Sequence, residues 1–409
     1  MPQPTLKRSL SLTLLVLYGL GTTIGAGIYV LIGRVAAAAD VYAPLSFVVA
    51  AAVALPTALS FGVLAARYPR SAGEAVYAEE AFGRRPFVAL VGLAVVFVGL
   101  VSSATISAGA VGYLRKLVAL PEWLGLLIVV AALALIAVWG ISESVIVAAV
   151  ATALEIGGLL LIIWYGRGGL DAARIAEVVA AAPPWPDIGL AGVLSGAILA
   201  FYAFIGFEDM VNVAEEVQDP SRNMPRAIAL TLAITAVLYI LVSLVSVTAM
   251  PTAELAASTS PVSDLFERLA GLPTSALDAL IVAAVVNGAL VQIIMASRVL
   301  YGLAQEGWLP PVFALVGART RTPWLATVAA AAAVFAMAAA FPLEGLARLT
   351  SWITLLIFIV VNASLLRIQS RSDGAGLLRL PAAVPFVGLV LSLGLAGFQA
   401  AEIVRAIFR

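Results

Sequence analysis

Apolar residues fall along this chain in blocks of roughly 20, the length at which an α-helix spans a bilayer core of about 30 Å, and polar residues are confined to the gaps. The blocks lie at 11–34, 42–66, 86–113, 122–140, 144–165, 188–214, 225–250, 274–302, 323–341, 344–367 and 382–405. The pattern predicts an all-α membrane protein with about eleven transmembrane helices, so that the two ends of the chain lie on opposite sides. The longer gaps, 171–187, 251–272 and 304–322, are too short for separate domains. The first block has no small-residue cleavage site after it and reads as a retained helix.

Composition agrees with the pattern. Of 409 residues, 63% are hydrophobic and 11% are charged, with a mean hydropathy of +1.09, far more apolar than a water-soluble domain. The formal net charge is zero and no stretch mixes clustered Lys or Arg with aromatics, which sets nucleic-acid binding aside. The chain has no Cys and no His, so disulfides, thiolate metal sites and imidazole relays are excluded. Any proton carrier must be Asp, Glu, Lys, Arg or Tyr, and Lys occurs only at Lys7 and Lys116.

The cations orient the helices. Lys7, Arg8, Arg67, Arg70, Arg84, Arg85, Arg222, Arg226, Arg298, Arg319, Arg321, Arg367, Arg371 and Arg379 all fall in segments on the side of the N-terminus. By the positive-inside rule the N-terminus is expected in the cytoplasm and the C-terminus outside, in a multi-pass protein of the cell membrane.

Two blocks are poor helices. The first holds Gly19, Gly21, Gly25, Gly27 and Gly33 around Thr22, Thr23 and Ile24, and the sixth carries Phe204-Ile205-Gly206-Phe207-Glu208-Asp209 between apolar halves. Glycine costs a helix about 1 kcal/mol relative to alanine, and unpaired backbone groups are expensive in hydrocarbon, so such clusters predict unwound segments lining a polar cavity. Both breaks contain an Ile-Gly pair, Ile24-Gly25 and Ile205-Gly206. Their places match if helices 1–5 and 6–10 are repeats, and an odd number of helices per repeat inverts the second copy. Close helix packing through small residues is the plainer account of the same glycines.

Three longer motifs carry a family resemblance: Gly19-Leu20-Gly21-Thr22-Thr23-Ile24-Gly25-Ala26-Gly27-Ile28-Tyr29-Val30; Phe201 to Glu208 with Asn212 to Glu216, Asp219-Pro220, Arg222 and Pro225 to Ile228; and Ala296 to Tyr301 running to Glu306-Gly307-Trp308-Leu309-Pro310. Pro69-Arg70-Ser71-Ala72-Gly73-Glu74-Ala75 with Tyr77 is a weaker fourth. The sequence resembles the amino acid-polyamine-organocation superfamily, and within it the amino acid permeases, from about Leu6 to Arg367. The resemblance implies a leucine-transporter-like core with a 5+5 inverted repeat in residues 1–367: helices 1–5 over about 11–165 and helices 6–10 over about 188–367. Residues 368–409 are then a cytoplasmic loop and one peripheral helix, one helix fewer than the family's usual twelve.

In such a fold the half-helix beginning near Ile24 offers free N–H groups and a positive dipole end to a carboxylate. Thr22, Thr23, Gly25, Ala26 and Gly27 are therefore expected to hold the substrate carboxylate, and the main chain of Ala203, Phe204 and Ile205 its ammonium group. Tyr202 and Phe207 are the expected side-chain pocket and gate, with Phe207 similar to the aromatic that closes over substrate in the family. Glu208 and Asp209 read as a cap for the second half of helix 6, where acids favour the dipole, with a pairing of Glu208 to a cationic substrate as the alternative.

Some permeases of the family carry a lysine in helix 5, and this chain has Glu155 in the corresponding region. A carboxyl there is costly unless it is protonated or faces a cavity and a cation. Glu155 is the expected proton carrier; a protonated structural role, or Na+ held by Glu155, helix 1 carbonyls and helix 8 polar groups such as Asn287, Gln292 and Ser297, are the alternatives.

These readings predict a secondary active transporter working by alternating access, proton-coupled, for neutral amino acids, with the bilayer and a small amino acid as its partners, no other cofactor and no metal. An exchanger, a cationic amine or polyamine carrier, and a non-transporting nutrient receptor are the competing readings. The sequence shows no nucleophile–base pair or metal cluster of an enzyme, and it implies no particular oligomeric state.

Overall fold

The structure is a computed structural model that describes residues 8, 10–70, 73–139, 145–181, 185–305, 309–317, 320, 322–371 and 378–407. Ser71-Ala72 and Glu306-Gly307-Trp308 of the motifs, the topology residues Lys7, Arg319 and Arg321, and residues 372–377 of the 368–381 loop lie outside the described residues.

Sixteen α-helices are described: α1 Leu12–Thr23, α2 Ala26–Ala39, α3 Ala43–Arg67, α4 Gly73–Phe82, α5 Arg85–Leu117, α6 Glu122–Trp139, α7 Val145–Tyr165, α8 Ala172–Ala180, α9 Trp185–Phe204, α10 Pro220–Ala249, α11 Thr252–Ala257, α12 Pro261–Ala270, α13 Ser275–Gln305, α14 Trp324–Ala340, α15 Leu343–Arg371 and α16 Ala383–Ile407. β-type pairing is limited, among the described residues, to one isolated parallel bridge between Leu10 and Val217. In hydrocarbon a helix satisfies its own N–H and C=O groups, which is why so apolar a chain adopts this class.

Eight helical runs are long and apolar enough to cross a membrane, and three more apolar helices, Leu12–Thr23, Thr152–Tyr165 and Trp324–Ala340, are shorter. The expected first span is divided at Ile24-Gly25, so its first half is only 12 residues long. The expected fifth begins on residues outside the described ones. The described residues are thus those of an all-helical membrane protein with eight candidate spans among them.

Small residues set the closest approaches. A Cβ on Gly62 of α3 would lie 2.9 Å from Pro225 Cα of α10, so these helices pack almost backbone to backbone. At the centre, the Phe61 ring of α3 meets Tyr77, Phe207 and Phe358 with centroid distances of 6.2, 5.9 and 5.6 Å. Asn362 on α15 is fully buried; it accepts from Ser60 Oγ at 2.7 Å and donates to Thr57 Oγ1 at 2.8 Å, joining α15 to α3. The gaps 171–187 and 251–272, read as loops, contain the short helices α8, α11 and α12. α11 packs against α2 so tightly that a Cβ on Gly33 would sit 2.2 Å from the Leu255 carbonyl oxygen.

Candidate functional site

The first break lies between α1 and α2. Ile24, at φ −82° and ψ 87°, ends α1, and Gly25, at φ −140° and ψ −138°, precedes α2 with no side chain capping its first turn. The opening N–H groups of α2 therefore lack the side-chain acceptor that helix N-termini normally recruit.

The second break follows Phe204, where α9 stops. Gly206 has φ +125°, a conformation that side chains avoid. A 3₁₀ segment, Glu208–Glu216, continues the chain.

The two breaks meet. Thr22 Oγ1 donates to the Gly206 carbonyl at 2.9 Å and to the Gly19 carbonyl at 3.0 Å. A Cβ on Gly206 would lie 2.2 Å from the Thr22 carbonyl oxygen, and one on Gly27 would lie 2.3 Å from Ala203 Cα. Glycine at both positions is what permits this contact. The N-terminal end of α2 thus lies against the C-terminal end of α9, one offering N–H groups and the other carbonyls. Tyr239 of α10 donates its hydroxyl to the Thr23 carbonyl at 2.9 Å, satisfying the end of α1.

The expected pocket residues are placed as follows. Thr23, Ile24, Gly27, Ala203, Phe204 and Ile205 are buried around the junction, with Thr22 and Gly25 half-buried. The Tyr202 hydroxyl contacts Ser102 Oγ of α5 at 3.1 Å. Phe204 packs on Tyr239, at a centroid distance of 5.3 Å. Phe207 is fully buried between Phe61 and Phe358.

A cavity of about 30 Å³ opens beside the junction, lined by Tyr18, Gly21, Thr22, Thr152, Asp209, Asn287, Gly288, Val291 and Gln292. Larger clefts, up to about 530 Å³, lie elsewhere, around α8, α11 and α12, along α7 and between α2 and α5; they are more open and contain none of the break residues. Gln292 Nε2 donates to Asp209 Oδ2 at 3.0 Å, while Glu208 Oε2 accepts the Gly206 N–H at 2.9 Å. The acid pair expected to cap the second half of helix 6 does not do so, since no side chain caps the 3₁₀ segment: Glu208 folds back onto the Gly206 N–H, and Asp209 faces the cavity.

Glu155 is buried on α7, with 2% of its surface exposed, one helical turn from the cavity residue Thr152. Tyr29 of α2 donates its hydroxyl to the Glu155 carbonyl at 2.6 Å, and Tyr113 of α5 donates in turn to the Tyr29 carbonyl. A Cβ on Gly21 would lie 2.2 Å from Thr152 Oγ1, so α7 presses against the first break on the Glu155 face. Among the described residues no group of three or more acids is arranged to hold a metal.

Sequence reasoning missed the cavity roles of Tyr18, Thr152 and Asp209 and the bracing tyrosines Tyr29, Tyr113 and Tyr239. Thr152 was detectable, three residues before Glu155 on a helix. The tyrosines come from distant segments, and only the fold brings them together.

An amino acid permease family model matches residues 9–403. The chain belongs to that family, within the amino acid-polyamine-organocation superfamily. This permease is 33% identical over 393 residues to an uncharacterized transporter of Mycobacterium tuberculosis, covering 94% of this chain and 84% of the relative. It is 27% identical to the branched-chain amino acid permease BcaP of Bacillus subtilis, covering 96% and 87%. It is also 32% identical to the vacuolar cationic amino acid transporter 4 of Arabidopsis thaliana, covering 88% of this chain and 63% of that longer one. The permease is accordingly a multi-pass membrane transporter of amino acids and not an enzyme.

Proposed function

We propose that this permease is a secondary active transporter working by alternating access, proton-coupled, with neutral amino acids as substrates. The observation that carries the reading is the junction of the two breaks, where uncapped N–H groups of α2 lie beside the carbonyl end of α9. An amino acid is a zwitterion of small span, and two opposed half-helix ends recognise its carboxylate and ammonium by main chain alone. Thr22, Thr23, Gly25, Ala26 and Gly27 serve the carboxylate, and Ala203, Phe204 and Ile205 serve the ammonium. Tyr202 and Phe207 shape the side-chain pocket, and Glu155 carries the proton.

The proposed topology has eleven crossings and a 5+5 inverted-repeat core, N-terminus in the cytoplasm and C-terminus outside. Apolar aromatics around the junction and the likeness to a branched-chain permease support neutral substrates. The cavity-facing acid Asp209 and the cationic transporters among the relatives favour a second reading, a cationic amino acid carrier.

The test is uptake of a labelled amino acid panel by proteoliposomes holding the purified protein, under an imposed proton gradient with and without Na+. Accumulation of neutral amino acids driven by protons alone supports the proposal. Selective accumulation of arginine and lysine supports the second reading.

A further inference from the structure

Three carboxylates are buried beside the helix 6 break: Glu208 and Asp209 on the 3₁₀ segment and Glu74 in the first turn of α4. None of the ion pairs among the described residues includes any of them. Negative charge withdrawn from water without a partner is strongly unfavourable, so the group calls for neutralisation by protons or by a bound cation. Glu208 is already committed to the Gly206 N–H. Asp209 and Glu74 are the two with work left to do.

Asp209 faces the cavity, where Thr22, Thr152, Asn287 and Gln292 add hydroxyl and amide groups. A cavity of about 30 Å³ has room for water beside Asp209. Water in that space can carry a proton to and from the Asp209 carboxyl.

Glu74 stands in the first turn of α4, the helix that meets the same segment at Val211. A Cβ on Gly73 would sit 2.6 Å from Val211 of the 3₁₀ segment and 2.8 Å from Tyr77 Oη, so α4 begins in direct contact with helix 6. The Tyr77 hydroxyl is fully buried, has no hydrogen-bond partner, and lies over the turn that carries Glu74. Burial, relieved in part by the residue's own backbone and reinforced by the charge of Asp209, raises the Glu74 carboxyl from 4.5 to about 7.

The charged and titratable groups on the neighbouring helices include a tyrosine and four arginines. Tyr18 of α1 shares the cavity with Asp209. From α15, Arg367 stacks on Phe82 and Arg371 donates to the Ala81 carbonyl, both at the far end of α4. From α3, Arg67 lies over the Tyr68 ring, and from α5 the exposed Arg85 stands at the helix start.

We propose that Asp209 and Glu74 form the inner leg of the permease's proton route, with Asp209 the cavity-side acceptor and Glu74 the group that releases the proton at the cytoplasmic face. The inference rests on the proton-coupled reading and adds residues to it. A proton on an Asp209 oxygen leaves to water and ends on a Glu74 carboxylate oxygen, making Asp209 anionic and Glu74 neutral. Glu74 then returns it to cytoplasmic water. No electrons are exchanged.

The test is infrared difference spectroscopy of the purified full-length protein between about pH 5 and about pH 9, reading carboxyl protonation directly. Glu74→Gln and Asp209→Asn should each remove one titrating carboxyl that Glu155→Gln leaves in place. Glu74→Asp and Asp209→Glu should restore it, which separates titration from misfolding. In proteoliposomes, uptake by the parent should vary up to about tenfold with internal pH between about 6 and about 8, as one group titrating near 7 dictates. Uptake by Glu74→Gln should lose that dependence. A parent titration left intact in both Asn and Gln variants overturns the proposal. So does a parent without neutral-range titration whose binding of labelled arginine is abolished by Asp209→Asn. A parent that shows the expected titrations but transports nothing overturns the transport reading while the proton-binding pair stands.

Discussion

Thr22 and Gly206, 184 residues apart in sequence, are joined by a 2.9 Å hydrogen bond from the threonine hydroxyl to the glycine carbonyl. The bond and the left-handed Gly206 backbone, φ +125°, hold two helix breaks in register, and the proposed substrate site lies between them.

Gly206→Ala should break this junction. The new Cβ would fall 2.2 Å from the Thr22 carbonyl oxygen, a backbone atom with no room to yield. Strain of roughly 1–3 kcal/mol should appear as a lower melting temperature in detergent, together with loss of uptake. Gly25→Ala is the informative contrast, since nothing lies within 4 Å of its added Cβ. It should melt like the parent and yet show a raised KM, because the methyl group intrudes where the substrate carboxylate approaches the main chain. Equal KM in Gly25→Ala and parent would move the carboxylate elsewhere.

Asn362 tests the scaffold apart from the site. Its side chain bridges Ser60 and Thr57 and also donates to the Phe358 carbonyl at 2.9 Å. Asn362→Ala leaves those buried hydroxyls short of a partner and should cost about 1–3 kcal/mol. The melting temperature should fall with the substrate profile unchanged, as measured by uptake competition.

Glu74 makes stability depend on pH. Its carboxyl is raised from 4.5 to about 7 in the folded protein, chiefly by burial. Between those values the folded state holds a proton that the unfolded state has released, so stability is fully present below about pH 4.5 and declines as pH rises to about 7. Glu74→Gln should remove this decline and melt higher than the parent at alkaline pH, by about 3 kcal/mol at most. Identical pH profiles of melting in the two proteins would show that the carboxyl is not buried as described.

Much of this architecture is legible in the sequence because membrane burial demands long apolar helices and penalises their interruption. The two glycine-rich stretches marked both breaks, and the Ile24-Gly25 and Ile205-Gly206 pairs fall where α1 and α9 end. What local pattern does not convey is which polar groups face one another across helices. Glu208 and Asp209 are adjacent and chemically alike, yet one turns to the Gly206 N–H and the other to Gln292 on α13. Glu74 reads as a loop acid beside Arg70, and only the packing of α4 against helix 6 makes it a buried one. The helices α8, α11 and α12 were hidden for a related reason: at 9, 6 and 10 residues they are too short to register as blocks.

The most direct test of the central claim, proton-coupled transport through Glu155, compares the parent and Glu155→Gln in proteoliposomes. Labelled amino acid accumulation is followed under an imposed proton gradient without Na+, with substrate binding measured in parallel. The account predicts accumulation by the parent that disappears in Glu155→Gln while binding survives. Transport that needs only internal amino acid and is unchanged in Glu155→Gln would contradict it, making the protein an exchanger and Glu155 a structural residue.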